Sequence, residues 1–176
     1  MDQIITILKQ LYAVEEYTEY DLYVTGHSLG GALAQLLAFI LAGILEAKEL
    51  PAKKVIAITY ASPRVGNKKF QKAFKALEKE GKLRHIRVSN DGDVVPVAPS
   101  LGYYQTGVNL HVKPKGKMKV GYRKDRNFFT QVRLSSASMH SLDYYHERIF
   151  REENADIIRM NVEEIYENYA DFNDKK

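Results

Sequence analysis

The chain has 176 residues, 45% hydrophobic, 27% charged and 11% aromatic, which is room for one domain with a single core and far from the composition of a disordered chain. It holds no cysteine, which excludes disulfide frameworks, thiol nucleophiles and cysteine-ligated zinc or iron–sulfur sites, so any nucleophile is an oxygen or an amine. The net charge of +4 is unevenly spread: between Lys48 and Arg126 there are 19 basic and 6 acidic residues, so the middle is basic and the two ends are acidic.

With an acid at position 2 and no basic stretch ahead of the first apolar residues, the opening residues are not expected to act as a signal peptide. Ile4, Ile5, Leu8, Leu11 and Tyr12 recur at helical spacing, which predicts an amphipathic helix over Asp2–Tyr17. Asp21–Thr25 is short and β-prone, Gly26–Gly31 is a tight turn, and Ala32–Ala47 is apolar nearly all round, the mark of a buried helix, with Pro51 as its stop. The most apolar part, Ala32–Leu45, contains Gln35 and is about four residues short of a membrane span. As given, the chain reads as soluble or peripheral, and cytoplasmic. Val55–Tyr60 is a continuous apolar run, as in a central strand covered on both faces.

Asn67–Glu80 is helical, with Phe70, Phe74 and Leu77 on one face and Lys68, Lys69, Lys72, Lys75 and Lys79 on the other; Gly81 ends it. Leu83–Ser89 is a third strand. Tyr103–Val112 and Met118–Tyr122 flank the turn-rich Lys113–Gly116, which predicts an antiparallel hairpin. A helix runs from His140 to Glu152, and Ala155–Tyr169 reads as another. Strand–helix–strand–helix–strand is the pattern of a right-handed parallel α/β sheet, and without a repeat or linker residues 1–176 read as a single domain. The lysine runs on the third predicted helix and in the hairpin are of the kind that usually forms a solvated face; their functional reading is attraction to an anionic lipid surface or another acidic partner. No sequence-specific nucleic-acid module is visible, and no nucleic-acid partner is expected.

Gly26-His27-Ser28-Leu29-Gly30 is a G-x-S-x-G motif, and its surroundings carry more weight than the pentapeptide. DLYVT precedes it and ALAQLLAFILA follows, the strand-to-helix setting in which a serine stands on a strained turn with its hydroxyl above the sheet edge. Gly26 and Gly30 are expected to be obligatory, because strand and helix pass so closely that a Cβ at either would clash; Gly31 and Ala32 extend this small surface. The helix N-terminus lies just behind Ser28, so its free N–H groups favour an oxyanion, with the Leu29 N–H as one donor. A phosphate cradle is the other reading of such a turn, and no P-loop lysine or G-x-G-x-x-G spacing supports it.

A serine hydroxyl needs a base, itself oriented by a carboxylate. On sheets of this type the chain order is Ser, then Asp or Glu, then His. His27 adjoins the serine with its side chain directed elsewhere from the elbow. His85 precedes any carboxylate at the end of the third strand and reads as a core or strand-face residue. His111, His140 and His146 remain. The acid belongs on the loop at the carboxyl end of a strand following the nucleophile strand. Asn90-Asp91-Gly92-Asp93 stands there; by position either aspartate serves, and the same tetrapeptide also suits an Asx turn.

The stretch Val24-Thr25-Gly26-His27-Ser28-Leu29-Gly30-Gly31-Ala32-Leu33-Ala34 resembles the elbow of the class 3 lipases, the fungal-lipase-like α/β-hydrolases. Three further stretches agree in order and spacing. Tyr60-Ala61-Ser62-Pro63-Arg64-Val65-Gly66-Asn67, with Phe70, resembles the family's G-S-P-R-V-G-N segment, Ala61 standing at the usual glycine. Val88-Ser89-Asn90-Asp91-Gly92-Asp93-Val94-Val95-Pro96 resembles its V-N-x-x-D-x-V-P acid loop, and Met139-His140-Ser141-Leu142-Asp143-Tyr144-Tyr145 its terminal H-x-x-x-Y stretch.

The resemblance implies an α/β-hydrolase fold, a parallel sheet with flanking helices and a C-terminal antiparallel hairpin. It implies a catalytic triad with Ser28 as nucleophile, Asp93 as acid and His140 as base, acting on lipid (triacylglycerol-like) esters through an acyl-enzyme, with no metal or cofactor. His146, six residues on and about 240° around a helix, would face away. Tyr103 and Tyr104 fall where the family often has an aromatic pair leading into a hairpin, and with His27 they are the expected substrate-binding residues. Ser62, Arg64 and Asn67 are expected as scaffold beside the site.

The resemblance covers about Asp2–Tyr145, the C-terminal half of a family domain. The segment that members carry ahead of it, with two or more strands and an F-R-G-T/S loop, has no counterpart, so the domain is expected to be incomplete and to lack its N-terminal strands. The second oxyanion N–H, which comes from a loop after an earlier strand, is then missing; losing one such donor typically costs about 100- to 1,000-fold in rate. The outer edge of Asp21–Thr25 is left open to a partner strand or a second copy. Beside efficient hydrolysis, the chain is therefore also read as a fragment needing a partner chain, or as a lipase-like binding or regulatory module with little turnover.

Overall fold

The computed structural model describes residues 2–46, 52–122, 131–133, 135–170 and 172; the predicted helix end at Ala47 and the stop at Pro51 lie outside them. The sheet is built around β2 (Val55–Tyr60), a run of β-branched and aromatic residues broken only by Ala57, which suits a strand covered on both faces. It pairs in parallel with β1 (Leu22–His27) on one side and β3 (Leu83–Asn90) on the other. β4 (Val108–Val112) joins β3 in parallel, and β5 (Lys119–Gly121) folds back antiparallel on β4. The spatial order β1-β2-β3-β4-β5 is the chain order, which leaves β1 at an edge.

The predicted hairpin is therefore present, but its first arm is also a fourth parallel strand. That arm starts only at Val108 and not at Tyr103. Gly107 takes φ 74 and approaches β3 so closely that an added Cβ would stand 2.2 Å from the His85 carbonyl oxygen.

Alternation along the strands separates two apolar layers. On one face lie α1 (Asp2–Tyr12), α2 (Leu29–Glu46) and α3 (Lys68–Lys79), whose Tyr12, Ala38, Leu41, Phe74 and Leu77 pack with Val55, Ala57 and Leu83. On the other lie α4 (Leu142–Ile149), α5 (Ala155–Ile158) and α6 (Val162–Tyr169), whose Tyr145, Ile157 and Ile165 meet Ile86, Val88, Val108 and Val112.

Several helix boundaries differ from the sequence pattern for local reasons. α1 stops at Tyr12 because Val14 turns to ψ 121 and Glu15–Tyr17 forms a separate 3₁₀ turn; of its apolar face Tyr12 is buried, while Ile4 and Leu11 are exposed. α2 is not buried all round: Ala34, Ala38 and Leu41 face the interior, whereas Leu29, Leu33, Leu36 and Ile40 form an exposed stripe at helical spacing. The stretch 155–169 is two helices, because Asn161 starts α6 with a capping box closed by Glu164. No helix of the described residues is long and apolar enough to cross a membrane.

Candidate active site

β1 ends at His27, and Ser28 follows it at φ 55, the left-handed region that residues with a Cβ seldom adopt. The turn is held in place by hydrogen bonds. Ser28 N–H donates to the Tyr60 carbonyl at 3.0 Å, and the Ser28 carbonyl receives the N–H groups of Gly31 and Ala32 at 3.0 and 3.3 Å. Leu29 is the first residue of α2, so its N–H, next to the serine, has no carbonyl one helical turn earlier to meet. A Cβ on Gly26 would stand 2.2 Å from the Gly30 carbonyl oxygen. The expectation for Gly30 itself is corrected. It lies on the exposed side of the first turn of α2, and a Cβ there meets nothing within 4 Å. The close approach falls instead on Gly31, where a Cβ would be 2.8 Å from the Cβ of Ser62 in the loop after β2.

His140 Nε2 lies 2.8 Å from Ser28 Oγ, and His140 Nδ1 lies 2.9 Å from Asp93 Oδ2. A carboxylate only accepts, so Nδ1 carries a proton, and in the neutral ring Nε2 is free to accept from the serine hydroxyl. The Asp93 side chain is fully buried; its Oδ1 accepts from Val95 N–H at 2.9 Å and its Oδ2 from the Tyr145 hydroxyl at 2.8 Å. Burial, reinforced by the neighbouring Asp93 charge, pushes the Tyr145 phenol well above its ordinary value and keeps it a donor.

The structure brings Asp93 to His140 and turns Asp91 toward β4, where its carboxylate meets His111 Nε2 at 2.8 Å. Position along the chain did not separate the two aspartates; the histidine each one faces does. His146 is exposed and packs on Phe150, with ring centroids 4.7 Å apart. His85 is a core residue bonded to Thr59 and Thr106, and burial, with Arg87 adding to it, pushes it down to about 3.

His27 does not point away from the elbow. Its ring lies beside that of His140, centroids 4.7 Å apart, and its Nε2 donates to the His140 carbonyl at 2.8 Å. Expected among the substrate-binding residues, it is bonded here to the backbone of His140. Asn90 Nδ2 donates to the adjacent Met139 carbonyl at 3.0 Å, so two successive carbonyls of this segment are tied down. Arg148, also buried, reaches Asn90 Oδ1 and the Asp91 carbonyl while its guanidinium lies 4.0 Å from the centre of the Tyr144 ring. Sequence reasoning missed Tyr145, Asn90 and Arg148 as parts of this site. The one signal for Tyr145 and Arg148 was their spacing of three residues, which puts both on the sheet-facing side of α4.

Tyr104 N–H donates to the Gly66 carbonyl at 2.8 Å, and Lys68 Nζ sits 5.1 Å above its ring. Tyr103 is 43% exposed. Among the described residues neither tyrosine is bonded to Ser28 or His140. Asn67 caps α3 by accepting from the N–H groups of Lys69 and Phe70. Arg64 ties the loop after β2 to the loop beyond Asp93: its N–H donates to the Ala98 carbonyl at 2.8 Å and its guanidinium to the Pro99 and Ser100 carbonyls at 3.4 and 3.3 Å.

Comparison with known proteins adds a family. The family model described as Lipase (class 3) matches residues 1–103, a range that contains Ser28 and Asp93. Phospholipase A1-II 1 of Oryza sativa subsp. indica is 40% identical over 110 residues, which are 62% of this chain and 26% of that protein. Phospholipase A1-IIgamma of Arabidopsis thaliana is 31% identical over 169 residues, 92% of this chain and 37% of that protein. Among solved structures, the native Rhizomucor miehei lipase propeptide complex superposes with a TM-score of 0.61 at 25% identity, covering 80% of this chain and 45% of that one. The chain thus spans from a quarter to little more than a third of these curated relatives. The likeness to the solved lipases and the mostly parallel, helix-flanked sheet make the fold one of α/β-hydrolase type.

Proposed function

The chain belongs to the class 3 lipase family, and from that membership and the relay joining Ser28, His140 and Asp93 we propose that it hydrolyses carboxylic esters of lipids as a serine hydrolase. His140 takes the Ser28 proton as Oγ adds to the ester carbonyl. The resulting oxyanion meets the Leu29 N–H at the head of α2, where the helix dipole favours negative charge. Collapse breaks the bond to the alcohol, which leaves with the proton from His140 while the acyl group stays on Ser28. Water then gives a proton to His140 and attacks the acyl carbon, and the fatty acid departs as Ser28 regains its proton. Asp93 holds the ring in the tautomer this sequence needs.

The observation that carries the reading is the 2.8 Å contact between Ser28 Oγ and His140 Nε2. The relatives at 31 to 40% identity are named phospholipase A1, which favours the acyl ester of a phospholipid. A triacylglycerol ester is the second reading, supported by the likeness to a structure described as a triacylglycerol lipase. The exposed lysines of α3 suit an anionic lipid surface, and the open edge of β1 suits an added strand from another polypeptide or a second copy.

Fluorophosphonate labelling of the folded protein that disappears in Ser28→Ala is the expected result. Faster fatty-acid release from phosphatidylcholine vesicles than from emulsified triolein is expected beside it. Folded protein that takes no label overturns the reading and leaves a lipase-like binding module.

A further inference from the structure

Beside the relay stand three residues of the same types that the proposed chemistry does not use. His111 on β4 reaches Ser89 Oγ on β3 through Nδ1 at 2.8 Å and Asp91 Oδ1 through Nε2 at 2.8 Å. Ser89 is 5% exposed, so a substrate has no path to it, and the trio is not a second nucleophilic site.

Its location suggests another role. Ser89 lies within β3 and Asp91 is the first residue beyond it, so the imidazole spans the point at which the chain leaves the sheet for Asp93. Ser89 Oγ also donates to Asn109 Oδ1 at 2.9 Å, which joins β3 to β4 beside the ring. His111 and Asp93 line the same cavity of about 10 Å³, along with Gln131, whose carboxamide oxygen accepts from Gly92 N–H at 2.8 Å. The loop carrying Asp91 and Asp93 is thus held by His111 of β4, by Gln131 and, from α4, by Arg148.

We propose that His111 is a positioning residue for the hydrolytic relay: by tying the Asp91 carboxylate to the Ser89 hydroxyl it fixes the backbone from which Asp93 meets His140. For its kinetic readout the proposal rests on the serine-hydrolase reading above; its spectroscopic readout needs geometry alone. A shift of about 1 Å in a positioned group is enough to cost about 100-fold in rate.

The test uses the full chain with His111→Leu, with His111→Gln, which keeps a donor toward Asp91, and with the D91N/H111L pair, which removes the Asp91 charge together with the imidazole that faces it. His111→Leu is expected to lower kcat on a p-nitrophenyl ester about 10- to 100-fold with KM changed by no more than about twofold, and His111→Gln to recover most of the loss. The downfield proton resonance of the His140 Nδ1–H bonded to Asp93, identified by its loss in His140→Gln, is expected to shift or broaden in His111→Leu. If that variant does not fold, both comparisons are read on the D91N/H111L pair. Unchanged turnover and an unchanged resonance in a folded variant overturn the proposal. A wild type that shows no turnover but whose resonance responds to His111 overturns the hydrolase reading and upholds the positioning role.

Discussion

Tyr145 donates its hydroxyl to Oδ2 of Asp93 at 2.8 Å, the same oxygen that receives the His140 ring at 2.9 Å. With Val95 N–H on Oδ1, the carboxylate has no freedom to rotate, so His140 always finds its acceptor in one place. Tyr145→Phe keeps the buried ring and removes only the donor. It is expected to lower kcat several-fold without raising KM, and to cost about 1.5–3 kcal/mol of stability in urea unfolding, the range for a hydrogen bond to a charged group.

His27→Phe separates a substrate contact from an anchor. The aromatic packing against His140 is retained, and the bond from Nε2 to the His140 carbonyl is lost. An anchor predicts a fall in kcat of about tenfold at unchanged KM, the signature of an interaction that acts on the transition state alone. A raised KM at unchanged kcat would support the substrate-binding role.

The glycines of the elbow are predicted to respond unequally. Gly26→Ala drives a Cβ into the Gly30 carbonyl, which backbone must move to relieve, so loss of the folded state in thermal melts is expected. Gly31→Ala presses on Ser62 and should destabilise measurably. Gly30→Ala has open space within a helix and should raise stability by up to about 1 kcal/mol.

Stability should also depend on pH through Glu78, a buried carboxyl on α3 that accepts from the Tyr122 and Tyr166 hydroxyls at 2.7 and 2.6 Å. Burial pushes it up to about 7, against the downward pull of the two tyrosines, Arg84 and Lys75. The native carboxyl then holds its proton more tightly than the unfolded one, whose ordinary value is 4.5. Its contribution is fully present below about 4.5 and is lost as pH rises through about 7. Urea unfolding should show a decline on the order of 3 kcal/mol across that window that is absent in Glu78→Gln.

What was readable in the sequence was local. The elbow announces itself because Gly26 and Ser28 sit between a strand pattern and a helix pattern, and both patterns arise from near neighbours. The identity of the aspartate at His140 was not readable from position, since it depends on His111 claiming Asp91 from another strand. The parallel pairing of β4 with β3 was hidden because a hairpin looks complete by itself. Glu78 was hidden on a helix whose lysines mark an exposed face; the hydroxyls that accommodate it come from Tyr122 and Tyr166, far along the chain.

The coincidence of strand order with chain order bears on how the protein is made. Each of β2 to β5 emerges from a ribosome after the strand it pairs with, and none of these four must be threaded between two of the others. Of Ser28, Asp93 and His140, Ser28 emerges first and His140 last, 112 residues later. On a nascent chain Ser28 lacks its His140 contact until the segment leading into α4 arrives and brings His140 and Tyr145 to Asp93, so the contact forms with the first helix of the second layer and ahead of α5 and α6.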